Sequence, residues 1–158
     1  MFEAIDSCTV TGRPSETTNT KTWEGYVHEL CATPRGEFTI GSAAASFAIE
    51  ISVTDKNKVI LVFRNAAGRL CMNTIADPEF YGVAQAFRVE DNKAETVRQS
   101  RNLEKMRKHS AARTSLLNTG SEILTRLLED RTSGIKIAPD CARNLFALCA
   151  HALRDGPG

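Results

Sequence analysis

The sequence has no close-set cysteine pair, no glycine-rich phosphate loop, no histidine cluster and no long apolar run. Each absence removes a class of function. The five cysteines are Cys8, Cys31, Cys71, Cys141 and Cys149, an odd number with no C-x-x-C spacing. A disulfide framework or a structural zinc site needs even, close-set thiols, so these read as reduced core thiols in a cytosol-like compartment. The three histidines, His28, His109 and His151, stand far apart. His28 precedes Cys31 by three residues and would share its helix face, but two ligands do not hold a metal, and "HELC" is not H-E-x-x-H. Cys149 and His151, two apart on a helix, are expected to point apart, with Cys149 in the core. No metal and no cofactor is expected.

Catalytic signatures are lacking as well. Cys31 with His28 is the one local nucleophile–base pair, and nothing orients it. There is no G-x-S-x-G elbow, and the glycines before residue 70 are isolated, matching neither G-x-x-x-x-G-K nor G-x-G-x-x-G. Acidic residues are too scattered to nominate a glycosidase-like pair. No catalytic residue is assigned, and the chain is not read as an enzyme. The N-terminus lacks a basic start followed by an apolar run, and the longest apolar run is too short for a bilayer. The expectation is a cytoplasmic protein with no membrane contact.

What is present is an ordinary globular composition, 42% hydrophobic and 25% charged, in 158 residues, which suits a single domain spanning 1–158. Its order is strands first (1–76) and helices later (77–156), the α+β class. In "SFAIEISV", Phe47, Ile49, Ile51 and Val53 alternate with small or polar residues, the period of a half-buried strand. "VILVF", Val59 to Phe63, is apolar at every position, as in a central strand covered on both faces. "RLCMNTI" supplies a third strand after a turn at "NAAG", where Gly68 suits a positive φ. Together these predict a three-stranded antiparallel meander over about 47–75. Shorter strands are expected in "FEAIDSCTVTG", around Phe38 and Ile40, and at Ile135 to Ile137. "GRPSETTNTKT" reads as an exposed loop, and "WEGYVHELCA" leans to helix. A two-sided central strand needs a cover on its second face, and a homodimer is one way to provide it.

In the helical half, Asp77 and Pro78 open a helix with Phe80, Val83, Ala84 and Phe87 on one face. A long helix is expected from about Asn92 to Leu117. "TGSE", Thr119 to Glu122, is expected to interrupt it as a capping box before an apolar face of Ile123, Leu124, Leu127 and Leu128. The final helix starts near Pro139, buries Cys141, Leu145, Leu148, Cys149, Ala152 and Leu153, and ends at Gly156.

The charge is uneven although the whole chain is only +1. Residues 1–90 hold 8 basic and 11 acidic residues, and residues 91–158 hold 12 and 8. The excess lies in "VRQSRNLEKMRKHSAAR", residues 97–113, with 6 basic residues and 1 acidic. On a continuous helix Arg98, Arg101, Lys105 and Lys108 form one stripe in water, with His109 beside it and Arg113 at its edge. Arg107 points elsewhere, and Glu104 pairs with Lys108. The apolar seam behind the stripe, Leu103, Met106 and Leu117 with Gln99, Ser110 and Arg113, is thin, so this helix is peripheral. The stripe is a solvated face, a contact for an acidic protein patch, or a grip on a phosphate backbone. No interleaved aromatics or nucleic-acid-binding motif favour the last. The sequence therefore points to a non-enzymatic interaction or regulatory protein of adaptor, chaperone or inhibitor type. Its partner is a protein, contacted through Arg98, Arg101, Lys105, Lys108, His109 and Arg113. A nucleic-acid-binding regulator using the same stripe is the alternative.

Overall fold

A computed structural model describes residues 8–16, 18–32, 38–40, 47–65, 70–131 and 135–154. In chain order these form β1 (Cys8–Thr11), α1 (Thr20–Cys31), β2 (Phe38–Ile40), β3 (Phe47–Val53), β4 (Val59–Asn65), β5 (Leu70–Thr74), α2 (Pro78–Asn92), α3 (Ala94–Ser100), α4 (Leu103–Arg131), β6 (Ile135–Ile137) and α5 (Pro139–Ala152). The class is α+β. The turn expected at "NAAG" lies outside the described residues apart from Asn65, which closes β4. The last helix ends earlier than the Gly156 expected: α5 stops at Ala152, and Leu153 is already extended.

The alternating pattern of β3 does what its period demands: Ile49 and Ile51 turn into the core. β3 pairs antiparallel with β4, setting Ile51 opposite Leu61 and Ile49 opposite Phe63, and β4 pairs antiparallel with β5. The sheet as a whole is mixed, however, and not an antiparallel meander alone. β1 joins the far edge of β3 in parallel, Val10 opposite Ile49, giving the order β1-β3-β4-β5. Parallel neighbours need a long crossover, and α1 lies within that connection. β2 and β6 pair antiparallel in a separate ribbon. Among the described residues the central strand is fully covered on one face and only partly on the other. Val59, Leu61 and Phe63 are fully buried, whereas Ile60 and Val62 are half-buried, and Met72 beside Val62 is 68% exposed. The unbroken apolar run in β4 therefore overstated the burial of its outer row.

The β3–β4 turn places Asn57 at φ 60°, a left-handed conformation that asparagine tolerates. Its side chain also clamps the chain after α5: Nδ2 donates to Arg154 O at 3.1 Å, and Oδ1 accepts from Arg154 N at 2.8 Å. The sheet is thereby tied to the end of the last helix.

α5 is the hub of the molecule. Every residue from Leu145 to Leu153 is buried, and the helix contacts α1, α2, α4 and β3. A helix apolar on all sides belongs in the middle of a core. α4 reaches it through Gly120, where a Cβ would stand 2.1 Å from the Phe146 ring. Glycine here is a notch for an aromatic ring, and no helix end. α4 runs unbroken through Thr119–Glu122, so the expected capping box is absent, and Ser121 Oγ donates back to Asn118 O at 2.9 Å. The N-cap expected at Asp77 is present: Oδ1 accepts from Glu79 N at 2.8 Å and Phe80 N at 3.2 Å. Arg88, 2% exposed, donates to the Leu153 and Arg154 carbonyls, placing a cation at the negative end of α5. No helix among the described residues is long and apolar enough to cross a membrane.

Candidate functional site

The basic segment is not one helix. After α3 the chain turns at Arg101, whose φ of 55° is left-handed and whose N–H closes back on Arg98 O at 3.2 Å. α4 restarts when Asn102 Oδ1 accepts Lys105 N at 3.0 Å, which gives Asn102 a capping role. A single stripe from Arg98 to Lys108 therefore does not exist. Arg98 sits on α3 and pairs with Glu95 at 3.1 Å; Lys108 sits on α4 and pairs with Glu104 at 3.5 Å, the pairing its spacing predicts. These pairs are exposed and worth little. Arg101, Lys105 and Arg107 are exposed and have no side-chain partner among the described residues. Leu103, between the first two, is 71% exposed, which agrees with a peripheral start to α4.

The other end of the segment enters the core. His109 is mostly buried, with Nδ1 2.8 Å from Glu90 Oε1. Arg113 is half-buried; its Nε donates to Asp91 Oδ1 at 2.5 Å and its Nη2 to the Tyr26 hydroxyl at 2.6 Å. The guanidinium also lies over the Phe87 ring at 5.6 Å. His109 was expected beside the stripe, and Arg113 at its edge in the thin seam. They leave the stripe because one face of α4 packs on α2, which offers two consecutive carboxylates, Glu90 and Asp91.

Asp91 is the centre of a network that joins five parts of the chain. Its Oδ2 also accepts from the Tyr26 hydroxyl at 2.9 Å and from His151 Nε2 at 2.7 Å. The other ring nitrogen of His151, Nδ1, is 2.8 Å from Thr18 Oγ1. With Nε2 donating to the carboxylate, Nδ1 is left to pair with the Thr18 hydroxyl. Tyr26 stacks on the imidazole at 5.8 Å, and Ser15 N donates to His151 O at 2.7 Å. The segment before α1, α1 itself, α2, α4 and α5 thus meet on one carboxylate. Burial by itself would raise the Asp91 carboxyl, but hydrogen bonds from His151 and Arg113, with their charge, outweigh it and hold it at about 2. Burial and the Asp91 charge push the Tyr26 phenol well above its ordinary value. Burial likewise raises the Cys149 thiol, as befits a core cysteine.

Hydroxyl, imidazole and carboxylate in a row is the order of a nucleophile, its base and an orienting group. Here Thr18 is 7% exposed and His151 0%, so the hydroxyl offers no place for a reacting atom. The arrangement acts as a clasp between helices. It also corrects two expectations: the 12–22 segment is partly buried at Thr18, and His151 points into the core like Cys149, because α5 is enclosed on all sides. Among the described residues, His28 is exposed on α1, Cys31 is half-buried, and no cluster of three or more His, Cys, Asp or Glu is placed to hold a metal.

The clasp carried a weak sequence signal. Asp91 continues the Phe80, Ala84, Phe87 spacing of α2; Arg113 lies in the Met106–Leu117 seam of α4; His151 stands within the apolar run of α5. A titratable residue at a core position of each of three helices requires mutual pairing. Comparison with protein-family models, with curated proteins and with solved structures gives no match to this chain.

Proposed function

We propose that this protein is a non-enzymatic interaction or regulatory protein, of adaptor, chaperone or inhibitor type, that docks a protein partner on the exposed half of its basic segment. The observation that carries this is the company its free cations keep. Arg101, Lys105 and Arg107 flank the 71%-exposed Leu103, and Val89 near the end of α2 is 52% exposed. Exposed large apolar side chains among cations that have no partner within the described residues suit a protein surface that offers acidic and apolar groups together. A phosphate backbone would use the cations and gain little from the leucine. The turn at Arg101 also removes the straight line of charge that would track a phosphate backbone, which weakens the alternative of nucleic-acid binding.

The test is capture of partners from a native lysate, with and without nuclease, by the wild type and by Arg101→Glu with Lys105→Glu. We expect a nuclease-resistant protein partner that the double variant loses while its circular dichroism is unchanged. Nuclease-sensitive capture would replace this reading with the nucleic-acid one.

A further inference from the structure

We propose that the groove between the end of α2, α3 and the first turn of α4 is a docking site for an acidic protein segment bearing one bulky apolar side chain. The groove encloses about 580 Å³. Val97 (7% exposed) and Val89 (52% exposed) supply apolar lining, Asn92 and Thr96 are polar, and Lys93 and Lys105 bring charge from separate elements. This assignment rests on the protein-contact reading above and names the partner's chemistry.

Charge complementarity selects the occupant. No acidic residue lines the groove. Lys93 and Lys105 are exposed and have no ion-pair partner among the described residues, whereas Arg98 and Lys108 nearby are paired with Glu95 and Glu104. Arg88 also lines the groove, but its guanidinium donates to the carbonyls that end α5 and to Gln85. Two available ammonium groups beside two valines fit a carboxylate next to a leucine-like side chain. The lining holds no aromatic ring on which a base could stack, so a nucleic acid would meet only the two lysines.

The probe is a short fluorescein-labelled peptide of Asp and Glu with one central Leu, titrated against the full chain by anisotropy. Controls are its Leu→Ser counterpart and a single-stranded oligonucleotide. We expect saturable binding that weakens with rising salt. Lys93→Glu with Lys105→Glu should weaken it about tenfold, and Val89→Ser about threefold, from the apolar area lost. A peptide with Lys in place of its acidic residues should bind the double variant better than the wild type. That reversal shows direct pairing and cannot come from misfolding. Absent saturation, equal binding of the Leu→Ser peptide, indifference to the lysine reversals, or tighter binding of the oligonucleotide would each overturn the assignment. If partner capture is lost in Arg101→Glu with Arg107→Glu and kept in the groove variants, the protein-contact reading stands and the groove assignment falls.

Discussion

Arg101 and Arg113 belong to the same run of positive charge, and the fold gives them opposite work. Arg101 occupies a turn, exposed, with no side-chain partner among the described residues. Arg113 reaches into the helical layer and holds Asp91 and Tyr26 while covering Phe87. The lesson is that charge density in a sequence does not report availability. A cation is available when its helix face finds no carboxylate, and that depends on what packs opposite: α2 stands against the middle of α4 and presents Glu90 and Asp91 there.

The contrast can be broken most severely at Asp91. Asp91→Asn leaves Arg113 and His151 without their carboxylate, and removing one member of a buried charge pair costs roughly 3–5 kcal/mol. Urea unfolding should show a large fall in midpoint; a loss below about 1 kcal/mol would mean that the clasp is not a major support.

Acid should act on the same group more gently. The folded value of Asp91, about 2, lies below the ordinary carboxylate value near 3.9, so its contribution is complete above about pH 4 and is lost as pH falls through about 2. The loss should be roughly 2 kcal/mol. Urea midpoints across that window should therefore fall more steeply for the wild type than for Asp91→Asn, since the variant has no carboxylate to titrate. Parallel slopes would contradict the assignment.

The smallest effect is expected at the free end. Arg101→Ala or Lys105→Ala should change stability by less than about 0.5 kcal/mol, because an exposed unpaired cation supports nothing. A larger loss would place these side chains in the fold and remove them from the binding surface.

Local pattern made the alternation of β3, the capped start of α2 and the buried α5 legible in the sequence, because each obeys a rule that acts within one element. The parallel partnership of β1 was not legible, since it depends on a crossover and not on the strand's own residues. Gly120 falls within the break expected at Thr119–Glu122 and proves to be the place where Phe146 lies, a fact about α5 that α4 does not encode. The clasp was hidden for the same reason: Asp91, Arg113 and His151 each look misplaced alone and make sense only together.

The position of α5 has a consequence for biosynthesis. Among the described elements it is the last to leave the ribosome, and it packs against α1, α2, α4 and β3. Until residues 139–153 emerge, Phe80 and Phe87 lack the Phe146 ring that packs on both, and Asp91 lacks its imidazole. The helical layer therefore cannot close until residues 139–153 are available, and before that its apolar helix faces are open to association.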